Sequence, residues 1–269
     1  MPDRSVPENS IAVLDSGIGG LPYLDRCREV LPGFPYIYIA DTEHFPYGEK
    51  NIETIIDMVF DTVERLIQKF RPAICVVACN TASVVALSAL RNRFDIPFVG
   101  VVPAVKPAAE RSRNRRIGLL ATNRTVLDRY TDDLIRDFAE DCHIERIGDG
   151  SIVDFVEYRF VDATESERSE AIRVAMDSFR SAKIDTLVLG CTHFIFLESQ
   201  IRESLDTMAE IVDSRDGVAK QLSRLAVSEL ENATNDVRSI LLTTGNNGGE
   251  ERYRRFCDRF DLEYRGVME

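Results

Sequence analysis

The feature that most limits what this chain can fold into is its alternation of short β-branched runs with helical hydrophobic patterns, the signature of parallel α/β architecture. Residues 11–14, 36–40, 74–78 and 98–102 read as buried strands. Ile52, Ile55, Ile56, Val59, Phe60, Val63, Leu66, Ile67 and Phe70 keep a 3.6-residue period that stops before Pro72, which predicts a long amphipathic helix. Then the pattern restarts. Ile117-Gly118-Leu119-Leu120 followed by Ala121-Thr122-Asn123 echoes Ile11-Ala12-Val13-Leu14 followed by Asp15-Ser16-Gly17. Residues 186–190 run into Cys191-Thr192-His193, as residues 74–78 run into Cys79-Asn80-Thr81. A strand from Val99 lies twenty positions after Cys79, and one from Ile211 lies twenty after Cys191. Equal spacing in both halves predicts a duplicated unit. Further on, Thr164 and Glu167 form a capping-box pattern ahead of Ile172, Met176 and Phe179. Val218, Leu222 and Leu225 mark another helix, and a turn at Gly245–Gly249 precedes a last one from Glu250 to about Phe260.

Composition narrows the class. A 269-residue chain that is 44% hydrophobic and 29% charged can bury one or two sizeable cores. The stretch from Met1 to Ser10 is short and polar and no run of eighteen apolar residues exists, which predicts a cytoplasmic protein without signal peptide or membrane span. A net charge of −12 argues against nucleic acid and anionic membrane as partners. The one basic cluster, Arg111, Arg113, Arg115 and Arg116, reads as a solvated loop before a strand. Six widely spaced cysteines without a C-x-x-C pair do not form a disulfide framework. The three histidines do not cluster with cysteine pairs, so no metal site is expected.

The polar motifs fall after strands, where parallel α/β sheets bind ligands: Asp15-Ser16-Gly17, Asp41-Thr42, Cys79-Asn80-Thr81, Thr122, Cys191-Thr192-His193 and Asp213-Ser214. The glycines at 17, 19 and 20 lack full dinucleotide-binding spacing, no P-loop lysine follows, and Asp15 would repel phosphate. A single cysteine at a strand end is more often packing than catalysis. Two at matching places in two similar halves reverse that reading, because a thiol at a helix N-terminus ionises more readily and can act as a base. His193 is placed to tune Cys191, whereas His44 and His143 read as surface or structural. A Cys-His hydrolase would leave the second cysteine without a role.

Asp15-Ser16-Gly17-Ile18-Gly19-Gly20, Pro46-Tyr47-Gly48, Cys79-Asn80-Thr81-Ala82-Ser83 and Gly190-Cys191-Thr192-His193 closely resemble the glutamate racemase family. The resemblance runs from about Ile11 to Gln221, and the region from Val99 to Thr125 looks like the enterobacterial type. It implies an α/β fold of two flavodoxin-like parallel-sheet domains related by pseudo-twofold symmetry, with the active site at their interface. Residues 1–103 plus 213–269 would form the Cys79 domain, and residues 104–212 the Cys191 domain. It further implies D/L-glutamate interconversion without cofactor or metal, with one thiolate removing the α-proton and the opposite thiol returning one. D-glutamate would then supply peptidoglycan synthesis. By the same resemblance Asp15 assists Cys79, Glu157 and His193 assist Cys191, and Asp41 is a further supporting acid. Ser16, Pro46, Tyr47, Gly48, Asn80, Thr81, Thr122, Thr125 and Thr192 would bind the substrate's carboxylates and amine. A homodimer partner and a cell-wall-precursor activator are candidates on the same ground. Two departures stand out: Phe194-Ile195 where tyrosine-proline is usual, and His44-Phe45 before Pro46 where an arginine is common. The alternatives are an aspartate- or hydantoin-type racemase or a decarboxylase of the superfamily, the last disfavoured by the presence of both cysteines. A binding role, such as inhibition of a DNA-handling enzyme, is the alternative from another class.

Overall fold

The computed structural model describes residues 10–229, 238–246 and 249–268, without the side chains of 227–229. The polar N-terminal stretch up to residue 9, and residues 247–248 of the expected glycine turn, lie outside the described residues. In chain order the elements begin β1 (Ile11–Asp15), α1 (Leu21–Val30), β2 (Tyr36–Ala40), α2 (Ile52–Phe70), β3 (Ile74–Val77), α3 (Asn80–Arg93) and β4 (Phe98–Gly100). They continue α4 (Val105–Arg111), β5 (Arg116–Ala121), α5 (Asn123–Val126), α6 (Arg129–Phe138), β6 (His143–Gly148), α7 (Gly150–Tyr158), α8 (Glu165–Ala182), β7 (Thr186–Gly190), α9 (Glu198–Leu205) and β8 (Glu210–Val212). Last come α10 (Arg215–Glu229), β9 (Ile240–Thr243), α11 (Glu250–Phe260) and β10 (Glu263–Val267).

The chain divides into two compact units, Met1–Val101 with Arg215–Glu269, and Val102–Ser214. The first holds a six-stranded sheet ordered β10-β9-β2-β1-β3-β4, the second a four-stranded sheet ordered β6-β5-β7-β8, and every ladder is parallel. Numbered within each unit, both sheets contain the order 2-1-3-4. The chain therefore reverses direction across the sheet between β1 and β3 in one unit and between β5 and β7 in the other, and such switch points open the crevices where α/β proteins bind ligands.

The first unit shows why the sequence builds this frame. All five residues of β1 and of β2 are buried, as a strand covered on both faces requires. Helix α2 starts at Asn51, whose side chain accepts the Thr54 N–H at 2.8 Å, and it ends where Arg71 takes a left-handed conformation ahead of Pro72. Its buried stripe of Ile55, Val59, Val63, Leu66 and Phe70 packs onto the β-sheet core, each side chain contributing about 1.5–3 kcal/mol of burial free energy. In the second unit the expected capping box forms at the head of α8, with Thr164 and Glu167 each satisfying the other's backbone N–H.

The strand expected over residues 98–102 stops at Gly100. The Val101 N–H is taken by the Ser83 hydroxyl at 2.9 Å, and that hydroxyl in turn donates to the Val77 carbonyl, so a side chain replaces the ladder there. The arginine cluster is consumed locally: Arg111 pairs with Glu210, Arg115 with Asp141, and Arg116 donates to the Ala182 carbonyl.

Candidate active site

In the first unit, the end of β1 delivers Asp15 and Ser16 and the end of β3 delivers Cys79, Asn80 and Thr81, all buried. Cys79 is 6% exposed and is the N-cap residue of α3, in extended conformation with its carbonyl accepting the Ser83 N–H. Cys79 therefore stands at the N-terminus of a fourteen-residue helix, the end that favours negative charge. Asp15 Oδ1 accepts the Ser16 N–H at 2.7 Å, which fixes the carboxylate at the mouth of the glycine turn. The turn is held by a residue the sequence reading did not single out. Tyr38 on β2 donates its hydroxyl to the Gly17 carbonyl and accepts the Gly20 N–H. A Cβ on Gly20 would lie 2.8 Å from the Ala78 Cβ, so glycine there lets the turn pack against the residue before Cys79.

Asn80 is the clearest unsatisfied group of the unit. Both its Oδ1 and its Nδ2 are buried without a hydrogen-bond partner in the protein, a situation that costs about 1–3 kcal/mol per group unless a ligand answers it.

The segment after β2 supplies the rest. Pro46, preceded by a cis peptide bond, opens a short 3-10 turn, Tyr47–Glu49, in which Tyr47 is buried and Gly48 half-buried. The Tyr47 hydroxyl donates to Asp41 in a very short hydrogen bond. Asp41, fully buried, also accepts the hydroxyls of Thr62 at 3.1 Å and Thr244 at 2.6 Å. His44 lies with Nδ1 2.9 Å from both Asp41 oxygens, so it is half-buried and paired rather than a surface residue. Burial pushes the Tyr47 phenol well above its ordinary value, and the negative charges of Asp41, Cys79 and Asp15 push it further, which keeps it a hydrogen-bond donor.

The second unit repeats the plan with different parts. Cys191, 5% exposed, follows β7 and is the extended N-cap of a 3-10 turn, Thr192–Leu197. Thr192 and His193 are buried in that turn. His193 Nε2 lies 3.3 Å from Oε2 of Glu157, the buried penultimate residue of α7, so the two residues that the resemblance assigned to the Cys191 side lie together. At the end of β5, Thr122 caps α5 by accepting the Thr125 N–H, and its hydroxyl donates to that of Thr125. Register makes the internal match concrete. Leu14 pairs with Val77, and two residues on stand Ser16 and Cys79; Ala121 pairs with Gly190, and one residue on stand Thr122 and Cys191. A hydroxyl-bearing residue thus accompanies each cysteine.

The remaining cysteines do not share this setting. Burial pushes the thiols of Cys27, Cys75 and Cys257 up to about 12 and also raises Cys142, so they stay protonated. His143 is exposed at the start of β6, 3.8 Å from Glu145. Among the described residues, no group of three or more histidine, cysteine or acidic side chains is arranged to hold a metal ion. No helix among them is long and apolar enough to cross a membrane.

The family model for Asp/Glu/hydantoin racemases matches residues 23–222. The chain belongs to the Asp/Glu/hydantoin racemase family. This racemase-family chain is 43% identical over 235 residues to the glutamate racemase of Pectobacterium atrosepticum, covering 85% of the chain and 82% of that relative. Among solved structures it is similar to Escherichia coli glutamate racemase in complex with L-glutamate and the activator UDP-MurNAc-ala, at a TM-score of 0.88 and 37% identity over 97% of this chain and 98% of that one. A glutamate racemase isoform from Bacillus anthracis matches at a TM-score of 0.84 and 28% identity, over 96% and 97% of the two chains. Membership in the racemase family agrees with the α/β architecture of two parallel sheets.

Proposed function

We propose that the protein is a glutamate racemase that moves the α-proton between its substrate and two thiols, Cys79 and Cys191, without metal or organic cofactor. The observation that carries this reading is the matched placement of two buried cysteines. Each follows the third strand of its unit and opens a helical turn, and each unit supplies its own acidic residues. Inversion at carbon needs a proton taken from one face and another delivered to the opposite face, and two acid–base groups, one for each face, do this without turning the substrate. The α-hydrogen is only weakly acidic, and donors aimed at the substrate carboxylate must stabilise the developing carbanion.

In this reading Cys79 handles the proton of D-glutamate with help from Asp15, and Cys191 that of L-glutamate with help from Glu157 and His193. Asp41 acts through Tyr47. The unpartnered amide of Asn80 supports a substrate contact there, joined by Ser16, Thr81, Pro46, Tyr47, Gly48, Thr122, Thr125 and Thr192. D-glutamate so formed would feed peptidoglycan synthesis in the cytoplasm. A UDP-linked cell-wall precursor, of the kind bound by the Escherichia coli neighbour, is the candidate activator, and a second copy of the chain the candidate partner.

The test is loss of optical signal when the purified protein meets D- or L-glutamate, aspartate or glutamine, with and without chelator and UDP-MurNAc-ala. Glutamate should racemise after chelation, with no absorbance from bound pyridoxal phosphate. Glutamine should be disfavoured by roughly a hundredfold or more, because donors set for a carboxylate would face an amide. Activity that disappears with chelator and returns with metal, or a preference for aspartate, overturns the proposal.

A further inference from the structure

Asp41 lies fully buried among four donors: the hydroxyls of Tyr47, Thr62 and Thr244 and the ring of His44. A carboxylate only accepts, so His44 Nδ1, 2.9 Å from both of its oxygens, must carry hydrogen toward it in either protonation state. What changes with protonation is charge. With a neutral ring, the Asp41 carboxylate stands uncompensated, and Tyr47, hydrogen-bonded to it, lies within electrostatic reach of Asp15 and Cys79. An anionic substrate and a thiol that must ionise both disfavour that extra charge.

We propose that His44 is a positioning residue for the Cys79 half-reaction: its imidazolium neutralises Asp41, so that Asp41 can orient the Tyr47 hydroxyl without adding net negative charge beside Asp15 and Cys79. The inference rests on the racemase reading of the site. The His44 side chain keeps 17% exposure, enough to exchange its proton with solvent. Its hydrogen bond to Asp41 raises its proton affinity above the ordinary histidine value. Burial opposes this, while the charges of Asp41, Glu43 and Asp61 add to it. Arg65 on α2, whose partner Glu43 also acts on His44, is engaged with Glu43 at 3.4 Å, Asp61 at 3.6 Å and the Met268 carbonyl at 2.7 Å. It therefore does not stand in for the imidazolium on Asp41.

Mirror-image substrates have an equilibrium constant of one, so kcat/KM is the same in both directions whatever is mutated. The side affected shows instead in the α-deuterium isotope effect of each enantiomer. His44→Asn keeps an N–H donor near the Nδ1 position but cannot carry charge; His44→Arg carries a permanent one. At about neutral pH, His44→Asn is expected to lower kcat/KM by about tenfold, the size of a one-unit rise in a thiol pKa. It should also raise the isotope effect on D-glutamate while lowering that on L-glutamate. The alkaline limb that the parent shows as His44 deprotonates should be absent from His44→Asn and displaced to higher pH in His44→Arg. A His44→Asn enzyme within twofold of the parent with the same pH profile overturns the proposal. So does a loss equal at every pH that Arg does not rescue and that leaves both isotope effects alone, since that is a merely structural role. If the parent does not racemise glutamate, the racemase reading fails, and NMR still decides His44. Tyr47 ring signals that follow the His44 titration, with a midpoint lowered in Asp41→Asn, support the coupling; a Tyr47 spectrum indifferent to His44 overturns it.

Discussion

The Cys79 and Cys191 units use one strand order and two different chemistries around their sulfurs. Cys79 heads a fourteen-residue α-helix, near Asp15 and a tyrosine–aspartate–histidine network. Cys191 heads only a six-residue 3-10 turn, whose own His193 meets Glu157 from a separate helix. The lesson is that one strand order repeated in two units fixes where a cysteine stands, after the third strand, while the groups around it differ from unit to unit. One side leans on a helix end and buried acids, the other on a histidine–carboxylate pair.

The strongest way to break the comparison is to remove one thiol at a time. Cys79→Ser or Cys191→Ser should cut racemisation by about a thousandfold or more, within the range that acid–base groups contribute, because serine is far harder to ionise. Each should still eliminate a leaving group from a β-substituted glutamate, Cys79→Ser from the L form and Cys191→Ser from the D form, since elimination needs one base. Finding the same handedness for both would end the two-thiol scheme. Serine at Cys27, Cys75, Cys142 or Cys257 should leave the chemistry largely intact.

Next in size is the Glu157–His193 pair of the second unit. Glu157→Gln and His193→Asn should each slow turnover by about ten- to a hundredfold, and raise the isotope effect on L-glutamate rather than on D. An effect confined to D-glutamate would erase the distinction between the two sides.

A smaller contrast concerns the approaches to the cysteines. Gly20→Ala would drive a methyl to 3.0 Å from the Ala78 carbonyl and 3.0 Å from the Tyr38 hydroxyl, and would strain the turn before Cys79. Gly190→Ala meets the Leu119 Cδ1 at 2.9 Å and the Ala121 Cβ at 3.0 Å, where a leucine terminus can yield. Within the roughly 1–3 kcal/mol typical of overpacking, Gly20→Ala should sit at the upper end and Gly190→Ala at the lower, as read by denaturant unfolding. The reverse order would show that the second crevice is the more tightly built.

The smallest effect is the pH dependence of stability that His44 contributes to the first unit. His44 binds its proton more tightly when folded, so the stabilisation is fully present below its unfolded pKa of about 6.5 and disappears as pH rises through its raised folded value. The stability gap between the parent and His44→Asn should therefore narrow on the alkaline side. A gap that is constant across this range would deny the linkage.

Much of the frame was legible because its signals are local. β1, β2, β3 and β7 are short apolar runs, and α2 carries an unbroken stripe ending at Phe70. Edge strands hid. β6 reads His-Ile-Glu-Arg-Ile-Gly and is nowhere fully buried, and β10 slips register between Tyr264 and Val267, so neither shows the pattern of a covered strand. In the site, Asp15, Asn80, Cys79, Cys191 and Thr192 announced themselves by standing at strand ends. Tyr38, Thr62 and Thr244 did not, since each looks like an ordinary strand, helix or loop residue until packing brings its hydroxyl to a buried acceptor.

By itself the sequence determined the alternation of strands and helices, the internal repeat, and the two cysteines at matching positions, because periodicity and spacing are properties of neighbouring residues. Tertiary structure alone decided which partners each functional group receives. Thr244 reaches Asp41 across 203 positions of chain, and Glu157 reaches His193 across 36. Such pairings depend on which strands lie side by side and which helix ends they bring together. A hydrogen bond made at that distance leaves no trace in local composition.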